Sequence, residues 1–264
     1  MLKKLFNLIN TVHLDPFTFK KAILLCLFVL GVWYAVEFLL YMFNIYFGII
    51  PDILLLLVIL LVVRMMGKNE LREILVWRNV PLSIFFSILV MFFGFEIIKS
   101  ELNNMLQNIF PVPDSFFEGT FYEPDNFFLI ILSNALFPGF TEEIMFRGII
   151  ARRFYRTYSP MKTILLSAAL FGIYHLNPWQ AVNAFYAGIF YCWIYLRFKS
   201  IWLCMFTHAY HNVLILYMLR PYVSINVYSD TWRHPLWFDI IGLFLFSFGL
   251  LSVIVLSRKK IIRK

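Results

Sequence analysis

Charge and cysteine are both scarce in this chain of 264 residues, and each scarcity excludes something. Only 14% of the residues are Asp, Glu, Lys or Arg, against roughly 25% in an ordinary soluble domain. Apolar residues make up 61%, and the mean hydropathy is +0.78. A water-soluble core of this length cannot hide so much apolar surface, because surface-to-volume scaling leaves too many residues outside. The three cysteines, Cys26, Cys192 and Cys204, stand singly in apolar runs. They provide neither a disulfide framework nor a cysteine-based metal motif. The basic N-terminus has no small-x-small cleavage signal, and Asn7 and Asn10 interrupt its apolar stretch. It reads as an amphipathic surface helix rather than a signal peptide.

Long apolar runs are what the chain does have. Eight segments, about 22–44, 49–66, 81–99, 126–150, 161–177, 179–197, 200–219 and 236–257, have the length and flanks of membrane helices. The fold class expected is all-α: a polytopic membrane protein with about eight transmembrane helices. Residues 1–20 form the surface helix and 21–264 a single transmembrane helical domain. No internal repeat of the kind that marks many transporters is present.

The net charge of +8 sorts by topology. With the N-terminus in the cytoplasm, nearly all of the 23 Lys and Arg fall on the cytoplasmic side. Only Lys99, Arg220 and Arg233 are left outside, and Arg147 stands within a span. The segment after the third span is acidic instead, with Glu101, Asp114, Glu118, Glu123 and Asp125. Both termini are therefore expected in the cytoplasm. The basic excess points to an anionic bilayer surface and not to nucleic acid.

Ionisable groups inside a span are costly unless paired, and they mark function. Glu96, beside Lys99 near a span end, reads as an interfacial pair that snorkels. Asp52 follows Pro51 at a helix start, where a carboxylate complements the helix dipole. Glu37 reads as a structural polar contact.

The fourth span is of another kind, running FPGFTEEIMFRG from Phe137 to Gly148. Glu143 and Arg147 stand at i and i+4, so they can pair on one face. Glu142 points about 100° away and is left available for proton chemistry. In the fifth span Phe171 and His175 are four apart; in the seventh so are His208 and Asn212. At about 1.5 Å per residue, Glu142 lies roughly 15 Å from Arg152, His175 roughly 20 Å from Lys162 and His208 roughly 13 Å from Lys199. A carboxylate and two imidazoles at similar depth from one face point to a shared site.

These residues resemble the CPBP family of intramembrane proteases, the group of type II CAAX prenyl endopeptidases and bacteriocin-immunity proteins. The family pattern EExxxR, FxxxH, HxxxN/D stands here, in order, as Glu142-Glu143-x-x-x-Arg147, Phe171-x-x-x-His175 and His208-x-x-x-Asn212. His211 is an extra histidine beside the third motif, but Ile215, four residues on, breaks the pattern. The resemblance implies hydrolysis of a peptide bond within the membrane, with the catalytic core at about 126–219. Glu142 is then the general base and His175 orients the water. His208 and Asn212 donate to the oxyanion, a contribution typically of about 3 kcal/mol per donor. Glu143 and Arg147 form a supporting pair, and Phe171 shapes the pocket. A membrane protein or lipidated peptide is the substrate implied, and a prokaryotic plasma membrane the location.

Metal use divides the readings. Glu142, His175 and His208 are a feasible zinc set. There is no HExxH, however, and an asparagine beside the second histidine suits an oxyanion better than zinc. No cofactor is favoured, with Zn2+ as the alternative. A non-catalytic immunity or scaffold protein of the same fold is one rival, and a proton-coupled transporter another. GxSG and GxGD, the marks of other intramembrane proteases, are missing.

Overall fold

The computed structural model describes residues 17–43, 50–67, 69–75, 77–109, 128, 131–224 and 235–262. Among them the chain is all-helical, with no strand. Helices stand in all eight apolar segments: α1 (Phe19–Met42), α2 (Ile50–Met66), α4 (Leu82–Ile109), a composite run from Leu132 to Thr157, α7 (Pro160–Tyr174), α8 (Pro178–Phe198), α9 (Ile201–Ser224) and α10 (Leu236–Ile262). A short α3 (Glu70–Ile74) lies between α2 and α4. Among the described residues, three helices are long and apolar enough to cross a membrane: Phe19–Met42, Leu82–Met105 and Leu236–Arg258; Pro160–Tyr174 and Ile201–Leu216 are apolar but shorter. Of the surface helix expected over 1–20, residues 1–16 lie outside the described residues.

Local chemistry sets several helix starts. The Thr18 hydroxyl accepts from Lys21 N at the start of α1, and the Ser159 hydroxyl accepts from Lys162 N before Pro160 at the start of α7. Both are N-caps that satisfy otherwise orphaned amides. A proline in the first turn adds a preset φ and loses no hydrogen bond there.

The composite run has a cause in its sequence. It consists of a π-helical turn (Leu132–Leu136), α5 (Phe137–Glu143), a π-helical stretch (Ile144–Ala151) and α6 (Arg152–Thr157). Pro138 has no amide hydrogen, and its ring would clash with the carbonyl four residues back, so the preceding turn widens. Thr141 Oγ1 donates to the Phe137 carbonyl at 2.8 Å and so occupies an acceptor within the kinked turn. Wide turns of this kind recur at functional sites. Here they flank Glu142 and Glu143.

The chain divides into two compact units. One comprises 1–78 and 132–206, the other 79–131 and 207–264. In the first, α7 and α8 pack side by side, and α2 packs on α1 and α5. Arg152 pairs with Glu70 and, at 2.7 Å, with Glu73 of α3, while Trp202 Nε1 donates to the Leu75 carbonyl at 2.9 Å. In the second unit α4 and α10 pack along most of their length. Glycine makes this possible: a Cβ on Gly249 would stand 2.5 Å from the Met91 amide nitrogen, and one on Gly94 would collide with the backbone of Phe246. Small residues at a helix crossing let backbones meet where lipid supplies no hydrophobic drive between helices.

Candidate active site

Of the seven motif residues, five lie in the first unit: Glu142, Glu143, Arg147, Phe171 and His175. Arg147 is fully buried, and its Nη1 donates to Glu143 Oε1 at 2.9 Å. Its Nη2 donates to the Gly188 carbonyl on α8 at 3.3 Å. The guanidinium also lies over two aromatic rings, 4.7 Å from the Phe171 centroid and 5.0 Å from that of Tyr191. A delocalised, weakly hydrated cation suits such a place better than an ammonium. The expected Glu143–Arg147 pair is therefore present, and it joins the composite run to α7 and α8.

Phe171 makes two contacts that tie the motifs together. Its ring carries Arg147, and its carbonyl lies 2.8 Å from His175 Nδ1. A carbonyl oxygen can only accept, so Nδ1 bears the proton and donates. In the uncharged ring the lone pair is then on Nε2. That is the tautomer that can take a proton from water or turn a water by accepting from it. The Phe171 and His175 rings meet edge to face at 5.0 Å, which further restricts the imidazole. One residue thus links the Arg147 motif to the His175 motif.

α7 ends at His175. The next residue, Leu176, has φ 54°, a left-handed conformation that stops the helix. His175 accordingly stands at a helix C-terminus, with a half-exposed side chain. Glu142 is half-buried whereas its neighbour Glu143 is fully buried. The Glu142 carboxylate is within electrostatic reach of Asp52 and of Tyr174, and Asp52 is within reach of Glu37. Asp52 also occupies the first turn of α2, the helix-start position expected of it.

His208 and Asn212 lie in the second unit, on α9. His208 is buried and Asn212 half-buried. Beside them is a grouping that sequence reading missed. His211 Nε2 is 2.5 Å from Glu96 Oε1 and 2.8 Å from Lys99 Nζ, and Lys99 Nζ is 2.6 Å from Glu96 Oε2. All three side chains are buried. Glu96 and Lys99 do not snorkel to an interface, because His211 meets them inside the unit. The i,i+3 spacing of Glu96 and Lys99 was the visible signal. Their third partner is 112 residues away from Lys99.

Of the three groups named for zinc, His175 and Glu142 belong to the first unit and His208 to the second. Among the described residues, no three His, Cys, Asp or Glu side chains are grouped as the ligands of a metal ion.

Comparison with known proteins gives one family. Residues 124–214 match the family model of the type II CAAX prenyl endopeptidases described as Rce1-like. The match covers about a third of the chain and contains every residue of the three motifs. No curated protein and no solved structure matches the chain. Over residues 124–214 this chain is similar to the Rce1-like type II CAAX prenyl endopeptidases, and the CPBP resemblance read from its motifs is borne out there.

Proposed function

We propose that the protein is an intramembrane endopeptidase that hydrolyses a peptide bond of a membrane-associated or lipidated protein or peptide near the cytoplasmic face. Glu142 takes a proton from water, the water attacks the scissile carbonyl, and the proton passes to the leaving amine. His175, through Nε2, orients that water. His208 and Asn212 donate to the oxyanion of the tetrahedral intermediate. Glu143 and Arg147 hold the helix that carries Glu142. The observation that carries this reading is the division of labour between adjacent carboxylates: Glu143 is buried against Arg147, while Glu142 is half-buried on the same segment. The Nδ1–H tautomer of His175 supports it as well.

The reading includes an eight-span arrangement with both termini in the cytoplasm, supported by the basic residues of the intervening segments, and a prokaryotic plasma membrane, which only the family resemblance suggests. It includes chemistry without metal, supported by the asparagine four residues after His208. Should zinc act instead, Glu142, His175 and His208 would hold it, and it would polarise the bound water.

The test compares new peptide termini in membranes from source cells carrying either the wild-type chain or Glu142→Gln at matched expression. Termini present with the wild type and missing with the variant establish a protease, name its substrates and place the cut relative to the bilayer. Identical termini, with the variant still supporting the cellular phenotype, would replace this reading with the non-catalytic partner protein.

A further inference from the structure

Outside the proposed catalytic set, the second unit holds a buried grouping of ionisable side chains, Glu96, Lys99 and His211. All three side chains are at most 5% exposed, in a chain where intramembrane charge is expensive. Glu96 is its hub. The carboxylate accepts from Lys99 Nζ at both oxygens, at 2.7 Å and 2.6 Å, and faces His211 Nε2 at 2.5 Å through Oε1. The rings of Phe92 and Phe95 stand 5.9 Å and 6.4 Å from the His211 ring and close off its surroundings on α4. The imidazole of α9 is thus held by one turn of α4, with polar contacts on one edge and aromatic rings around it.

The position of His211 on α9 gives this grip its consequence. At 3.6 residues per turn, Asn212 lies about 40° to one side of His208 and His211 about 60° to the other. The edge that presents His208 and Asn212 is therefore separate from the gripped edge but rigidly related to it, since both belong to one helix. The His208 ring is 6.5 Å from that of His211.

We propose that Glu96 and Lys99 are positioning residues: by gripping His211 they fix the rotation of α9 and so set where His208 and Asn212 point. The inference rests on the endopeptidase reading for its functional meaning, because an oxyanion donor must be aimed to within a fraction of an ångström. It does not rest on that reading for its structural content.

The experiment has two arms and two variants. Glu96→Gln/Lys99→Met removes both charges together, which buried pairs tolerate far better than the loss of one partner. His211→Leu removes the gripped ring and leaves the Glu96–Lys99 pair intact. In the first arm Asn212→Cys is introduced and the reaction of its thiol with a membrane-permeant maleimide is timed in each background. The native Cys26, Cys192 and Cys204 are buried, so the new thiol dominates. In the second arm kcat and KM are measured with Asn212 in place, on a substrate found by the termini comparison. The expected result is a several-fold change of labelling rate in both variants, with kcat about 100-fold lower and KM unchanged, the mark of lost aim rather than lost binding. Lys99→Arg, which keeps a cation and a donor at that position, retains most of both. Folded variants that label at the wild-type rate would overturn the inference. If labelling shifts but the wild-type chain cleaves nothing, the positioning of α9 stands and the endopeptidase reading falls.

Discussion

The carbonyl oxygen of Phe171 accepts a hydrogen bond from His175 Nδ1 at 2.8 Å, one helical turn further along α7. The proton on Nδ1 leaves Nε2 as the acceptor in the uncharged ring. Nitrogen-15 spectra of histidine-labelled protein in lipid, assigned by comparison with His175→Ala, should show the Nδ1–H tautomer at this position. An Nε2–H signal would remove the water-orienting role. The same His175→Ala variant should remain folded and lose hydrolysis.

Arg147 bridges three helical segments through Glu143, the Gly188 carbonyl and the rings of Phe171 and Tyr191. Arg147→Ala would take its cation away from the buried Glu143 carboxylate, a change that costs about 3–5 kcal/mol. Thermal unfolding in detergent should fall accordingly, and activity should disappear with the fold. Arg147→Lys should recover only part of the stability, since an ammonium cannot pair with Glu143, reach Gly188 and stack at once. Wild-type stability for Arg147→Ala would show that the pair contributes nothing.

Gly249 admits the backbone of α4 at Met91. In Gly249→Ala the added methyl group meets the Met91 amide nitrogen at 2.5 Å. The helices must move apart, at a cost of about 1–3 kcal/mol. A lowered unfolding temperature is expected, and Gly249→Leu should lower it further. An unchanged midpoint would mean that α4 and α10 tolerate separation.

Cleavage should withstand prolonged treatment with a strong zinc chelator, because Glu142 and His175 suffice to activate water in the proposed chemistry. A rate measured before and after chelation checks this. Loss of cleavage that added zinc restores would set the metal-free mechanism aside.

Much of the candidate site was readable in one dimension because polar residues in apolar runs are conspicuous. The pairing of Glu143 with Arg147 follows from helical spacing alone, and the structure contains it. The link from Phe171 to His175 also spans a single turn. What escaped sequence reading is long-range. Arg147 meets Gly188 across 41 residues, and His211 meets Lys99 across 112. The spacing of Glu96 and Lys99 fits an interfacial pair as well as a buried one. Only a packed neighbour decides between them.

The sequence by itself determined that the chain is helical and apolar, where the eight helical segments lie, and which residues carry the motifs of the Rce1-like segment. These follow from hydropathy and from the spacing of side chains along one helix, both of which are local. Tertiary structure alone decided that Arg147 rests on Phe171 and Tyr191, and that His211 belongs to Glu96 and Lys99. A buried charge takes whichever partner the packing of helices brings within about 3 Å, and that packing is a property of surfaces far apart in the chain.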